Sequence, residues 1–167
     1  MEQLHNGFTL RFCDDAFPLS TDSIALSGFV RLPKQSNVLD LGAGCGTLGL
    51  LLCANDSNCV VTGVEFNPNA HQMALQNIAD NHLTHRLISI CADIRNIPTS
   101  LSPGSFRVCV SNPPYFTANS GYTAPDEKRA TARDERTCTM DDLCKAAGYL
   151  VKWGGAFTVV HRPERLS

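Results

Sequence analysis

Asn112, Pro113, Pro114 and Tyr115 stand in a row in the stretch SNPPYF (111–116), at the end of a β-rich run. Two adjacent prolines remove two backbone donors and stiffen the chain, so this stretch does not continue a central strand. It reads as a rigid loop that presents an amide and a ring. An amine conjugated to a ring or a carbonyl has a delocalised lone pair and is a poor nucleophile. Two acceptors aimed at its N–H bonds would draw the nitrogen toward a pyramidal geometry and localise that pair. The Asn112 side-chain oxygen is one such acceptor, and the Pro113 carbonyl, held outward by the stiff Pro113–Pro114 pair, is the other. Tyr115 offers a flat face for a stacked base, worth about 1–3 kcal/mol, with Phe116 beside it. An ordinary turn is the plainer use of these residues.

A second group of residues is spaced to hold a ligand. VLDLGAGCGTLGL (38–50) places Gly42, Ala43, Gly44 and Gly46 at a strand-to-helix junction, where glycines let the backbone pass close beneath a ligand at the helix N-terminus. Residues 44–49 match G-x-G-x-x-G, which alone says little. Asp40 argues against a dinucleotide, because a carboxylate two residues before the first glycine would repel a pyrophosphate. It suits a ligand with an ammonium group, and S-adenosylmethionine carries one, together with an adenosine and no phosphate. Glu65, 23 residues after Gly42, is spaced to accept from both ribose hydroxyls, with Phe66 next to it. Asp93 can accept from the adenine amine while Ile94 packs on the ring. Asn112 closes the expected cofactor pocket. Turn formation and helix capping are the other uses of such acids. The sulfonium is already an activated methyl donor, so methyl transfer to an amine needs no general base. Most of the acceleration must come from holding nitrogen, methyl carbon and sulfur in line.

These residues need a scaffold that brings them together. Short Val- and Ile-rich runs at 37–42, 59–66, 85–93, 105–112 and 155–161 predict strands. Segments 21–32, 47–56, 68–82 and 139–154 predict helices, with Pro68 at a first turn, Thr139 as an N-cap, and Gly154–Gly155 as a stop. Alternation of this kind predicts βαβ units in a doubly wound, mostly parallel α/β sheet. The four acid- and amide-bearing strand ends would then lie along one edge. The stretch 116–138 is long for a loop inside a compact domain and is expected to be functional or mobile.

Composition narrows the class. The 167 residues suit one domain spanning 1–167, 43% of them hydrophobic and 18% charged. The first residues lack the layout of a signal peptide and no apolar run has the length of a membrane span, so the expectation is a cytoplasmic protein away from membranes. The eight cysteines contain no C-x-x-C pair, their spacings are wrong for zinc, and a disulfide framework would be odd without an export signal; buried small hydrophobes is the better reading. The net charge of −2 conceals an asymmetry: six Lys and Arg face eleven Asp and Glu in residues 1–127, against eight and five in 128–167. That balance permits a polyanion partner without demanding one.

Together, LDLGAGCG, GVEFNP, CADI and NPPY resemble the signature of class I S-adenosylmethionine-dependent methyltransferases of the N6-adenine type. FPLSTDSIALSGFV before the first strand, ARDE (132–135) and HRPERL (161–166) are most similar to the bacterial tRNA(Val) adenine-N6 methyltransferases. The resemblance implies a Rossmann-like fold and methyl transfer to an adenosine beside the anticodon, with Asn112, Pro113, Pro114 and Tyr115 catalytic and no metal. It places Thr21 and Asp22 as caps of a helix flanking the cofactor pocket, though a plain capped helix reads as well. Lys128, Arg129, Arg133 and Arg136 are the candidates to grip RNA, with Tyr115 and Phe116. Such enzymes add two final strands as a hairpin beside the fifth, and the pattern here lacks them. Protein-glutamine methyltransferases also use NPPY, but with a sizeable helical region before the core, and DNA and guanine-N2 enzymes share the motif. A module that binds S-adenosylmethionine without catalysis is the reading from another class, and an NAD-dependent dehydrogenase is disfavoured by Asp40. The sequence assigns no oligomeric state.

Overall fold

The computed structural model describes residues 1–4, 7–13, 19–113 and 138–161. In chain order the elements are β1 (Glu2–Gln3), β2 (Thr9–Leu10), α1 (Thr21–Phe29), β3 (Asn37–Leu41), α2 (Thr47–Asn55), β4 (Val60–Glu65), α3 (Pro68–Asp80), β5 (Leu87–Cys91), β6 (Phe106–Ser111), α4 (Met140–Leu150) and β7 (Val151–Val159). The last five strands form one parallel sheet in the order β5-β4-β3-β6-β7. The order reverses between β3 and β6, so the crevice for a ligand opens at the carboxyl ends of those two strands.

Both faces of the sheet are covered, which is why its central strands are nearly continuous apolar runs. Alternate residues face opposite ways. Val38, Val61, Val108 and Val110 pack with Leu26 of α1, Leu48 and Leu50–Cys53 of α2, and Ile78 of α3. Leu39, Leu41, Val64 and Cys109 pack on the other side with Leu143, Ala146, Ala147 and Leu150, the helical-period stripe of α4. The cysteine expectation holds in part. Cys45, Cys53, Cys59 and Cys109 are buried, whereas Cys91, on edge strand β5, and Cys144, off the α4 stripe, are exposed. Among the described residues no helix is long and apolar enough to cross a membrane, and no cluster of side chains is arranged to hold a metal ion.

The last helix and strand depart from the expected bounds. α4 begins as predicted, with Thr139 and Asp142 forming a capping box, but it stops at Leu150, where Val151 is already extended. β7 begins there, four residues early. Pairing with β6 jumps from Phe106↔Val151 to Val108↔Ala156, so residues 152–155 bulge out of the ladder. Gly154 has a φ of 71°, and a Cβ on Gly155 would lie 2.7 Å from the Arg107 carbonyl. These glycines serve a bulge inside a strand rather than a helix stop.

The N-terminal pair β1–β2, which periodicity did not reveal, is held by α3. Asn81 accepts from the Thr9 amide (2.7 Å) and donates to the Thr9 carbonyl (2.7 Å). One helical turn earlier, Asn77 accepts from the Arg11 amide (2.9 Å) and donates to the Arg11 carbonyl (2.9 Å). Asn77 is 1% exposed and also donates to the Cys45 carbonyl (2.9 Å) in the glycine loop. It therefore ties the N-terminal segment, α3 and the loop together. Asn77→Ala should cost about 2–4 kcal/mol, since it leaves buried backbone groups unpaired. Urea unfolding should show that loss exceeding the loss for Asn81→Ala; an equal or smaller effect would contradict the central role of Asn77.

Candidate active site

The glycine loop leaves β3 and enters α2 through three residues of positive φ: Gly42 (76°), Gly44 (56°) and Gly46 (82°). A side chain at any of them would be strained. The Gly42 and Ala43 amides both donate to the Val64 carbonyl, and Gly46 caps α2 without a side chain. The loop lies so close to β4 that a Cβ on Gly63 would come within 2.7 Å of the Ala43 Cβ.

Two carboxylates flank this loop in different states. Glu65, the last residue of β4, accepts the Gly44 amide at 2.7 Å through one oxygen and the Asn67 amide at 2.7 Å through the other. Each of its oxygens keeps a lone pair. Asp40, paired in register with Gly63 and Val110, is 1% exposed. Its Oδ2 is buried without a hydrogen-bond partner among the described residues. Burial, and then the Glu65 charge, push its carboxyl up to about 7. A buried oxygen lacking a partner beside a second carboxylate is a place for a cation.

The NPPY strand ends beside the loop, as the order of strands requires. Ser111, fully buried, donates through its hydroxyl to the Leu41 carbonyl at 2.6 Å, pinning the end of β6 to the end of β3. Its carbonyl accepts the Val160 amide of the neighbouring strand segment. Asn112 follows, half-buried, and its amide nitrogen donates to Ser23 Oγ (2.9 Å) and Ser20 Oγ (3.3 Å) on α1. Pro113 is buried. The structure thus brings together Asp40, Gly42, Ala43, Gly44, Gly46, Glu65 and Asn112.

Other expected residues stand differently. The cap of α1 is Ser20, whose hydroxyl accepts the Ser23 amide; Thr21 and Asp22 are the first two residues of the helix, so their capping role is corrected. A cap sits one residue before the first helical turn, and the serine there wins the position. Asp93 lies two residues past the end of β5 rather than at its tip. Its oxygens are engaged by the Arg95 guanidinium (2.6 Å) and amide (2.9 Å), whose hydrogen bonds hold the carboxyl below its usual range. Ile94 packs against the core on the α4 side, and Phe66 is 46% exposed just past β4. Pro114, Tyr115, Phe116, Lys128, Arg129, Arg133 and Arg136 lie outside the described residues. Ser20, Ser23, Ser111 and Asn77 escaped sequence reasoning. Only Ser20 carried a signal, standing where a cap should precede the helix.

The family model described as the methyltransferase small domain matches residues 19–165. A curated protein of Bacteroides fragilis named tRNA1(Val) (adenine(37)-N6)-methyltransferase is 31% identical over 153 residues, covering 92% of this chain and 63% of its own. One of the same name from Shewanella halifaxensis is 31% identical over 163 residues, covering 96% and 65%. The chain spans less than two thirds of the length of these relatives. Among solved structures, a "predicted O-methyltransferase" from Agrobacterium tumefaciens superposes with a TM-score of 0.66 at 20% identity, covering 86% of this chain and 62% of that one. A methyltransferase from Thiobacillus denitrificans in complex with S-adenosyl-L-homocysteine gives 0.57 at 15% identity, covering 84% and 48%. At these identities the structural likeness shows the fold alone.

The Asp40 carboxyl has a consequence that can be measured. It titrates at 3.8 in an ordinary setting and at about 7 in the fold, so between those values the folded protein holds the extra proton. Its contribution therefore favours the fold most below about pH 4 and declines as pH rises through about 7, by on the order of a few kcal/mol. Asp40→Asn should flatten that decline in the ligand-free protein. Urea titrations of both proteins at pH 5 and pH 8 test this, and an unchanged difference between the two pH values would remove Asp40 as its source.

Proposed function

Because the chain belongs to the methyltransferase small domain family, we propose that it transfers a methyl group from S-adenosylmethionine to the exocyclic N6 amine of an adenosine in tRNA. The observation that carries this reading is the end of β6. Asn112 and Pro113 open the NPPY loop next to Asp40 and the glycine loop, where a methyl donor and an amine would meet. The names of the curated relatives support tRNA(Val) as the acceptor.

The residues fit the cofactor. The buried Asp40 oxygen lacks a partner, and an ammonium group satisfies it. Glu65 is fixed by two backbone amides, which leaves one lone pair on each oxygen for the two ribose hydroxyls. When bound, S-adenosylmethionine supplies a methyl group already activated by its sulfonium. Asp93 takes part only after giving up Arg95. Asn112 Oδ1 and the Pro113 carbonyl accept the two N–H bonds of the acceptor amine and localise its lone pair. Each such bond nets about 0.5–1.5 kcal/mol in ordinary use, so alignment supplies most of the acceleration. Tyr115 and Phe116 stack the base, and Lys128, Arg129, Arg133 and Arg136 meet the RNA backbone.

The test is methyl transfer from labelled S-adenosylmethionine to unmodified tRNA, with DNA and a release factor in parallel. N6-methyladenosine in the tRNA is the expected product. Asn112→Ala should lower kcat about a hundredfold, a loss comparable to that of a preorganised polar group in other active sites, with cofactor affinity within about twofold. Label in the release factor would move the acceptor to a protein glutamine. Bound cofactor with no transfer anywhere would make this chain a cofactor-binding module. For the cofactor site, Glu65→Ala should weaken binding by about a hundredfold or more, the worth of two hydrogen bonds to a charged group. Unchanged calorimetry would overturn the ribose assignment.

A further inference from the structure

We infer that Ser20 and Ser23, at the start of α1, are positioning residues that hold the Asn112 amide with its oxygen turned toward the acceptor amine. An asparagine side chain has two faces of opposite hydrogen-bonding sense, and only one serves the reaction. With Oδ1 outward, the amide accepts an N–H bond of the incoming amine. Turned over, it would present its own N–H bonds to a group that also donates, and the two would repel.

The serine pair selects between these orientations. Ser20 Oγ already accepts the Ser23 backbone amide at 3.1 Å as the helix cap. Ser23 Oγ lies 3.1 Å from Ser20 Oγ, and Ser23 is 7% exposed. Asn112 Nδ2 donates to both hydroxyl oxygens, at 2.9 and 3.3 Å. The planar amide then carries Oδ1 away from α1. One hydroxyl hydrogen is taken up between the two serines, so a turned-over Oδ1 could accept only the other, whereas Nδ2 meets both oxygens. The backbone cannot make this choice, because Ser111 pins only the main chain at the end of β6.

Ser23→Ala isolates the effect, since Ser23 takes part in the cap through its backbone amide and the cap survives the substitution. The kinetic arm rests on the methyl-transfer reading. In the full chain, Ser23→Ala should lower kcat about five- to tenfold, as expected for loss of one ordinary hydrogen bond, with cofactor Kd within about twofold. In the Asn112→Ala background the same substitution should change nothing further, because the residue it positions is gone. An equal loss in both backgrounds, or no loss in either, would overturn the inference. A second readout needs no turnover. The Asn112 side-chain NH2 signals, assigned by their absence in Asn112→Asp, should be protected from solvent exchange in the parent and lose that protection in Ser23→Ala. Unchanged protection would overturn the inference by itself. If Asn112→Ala transferred methyl groups at the parent rate, the methyl-transfer reading would fall, and the NH2 signals alone would decide whether the serines hold Asn112.

Discussion

The parallel pairing of β3 with β6 decides where chemistry can happen in this chain. Val38, Leu39 and Asp40 face Val108, Cys109 and Val110, and the Ser111 hydroxyl locks the two strand ends together through the Leu41 carbonyl. On one side of that seam the chain turns into the glycine loop and on the other into NPPY. About 70 residues separate these segments in sequence, and the register leaves them neighbours. A slip of β6 by one residue would send Asn112 to the opposite face, because side chains alternate along a strand. The apolar faces above and below, filled by Val108 and Val110 on one side and Cys109 on the other, resist such a slip.

Around this seam the fold spends order on a few polar groups. Glu65 is met by two backbone amides and so sits as a prepared acceptor, whereas Asp40 is buried beside it with one oxygen unmatched. An uncompensated carboxylate in such a position disfavours the ligand-free fold and favours a cationic ligand, which couples binding to stability. Asn77 braces the loop from behind through Cys45 and carries the N-terminal segment with it. The α1 serines brace Asn112 from the flank. The glycine loop and Asn112 are thus each braced by an element distant in sequence, and rigid supports of this kind preserve the geometry that alignment-based catalysis requires.

Much of this was legible beforehand because its physics is local. Strand and helix positions followed from short-range hydrophobic period, and the glycine loop from glycines clustered where a strand turns into a helix. The bounds of α4 and β7 were not legible, since Gly154 and Gly155 look alike as a helix stop and as a bulge. Only the neighbouring Arg107 backbone, pressed against Gly155, decides for the bulge. Thr21 and Asp22 were expected to cap α1 and Ser20 does so instead, because all three residue types favour that place and composition does not choose among them. Asp93 was assigned by its type, and the claim of Arg95 on its carboxylate arises from a side-chain rotamer that spacing does not encode.

The sequence by itself determined the order of elements, the residue types at their carboxyl ends, and through them the family. Those properties depend on residues a few positions apart, which hydrophobic period and backbone stereochemistry read directly. The tertiary structure alone decided that Asp40 is buried without a partner, that Glu65 is ordered by Gly44 and Asn67, and that Asn112 faces two serines some ninety residues earlier. Burial and hydrogen-bond pairing depend on which distant segments pack together, and no local rule carries that information.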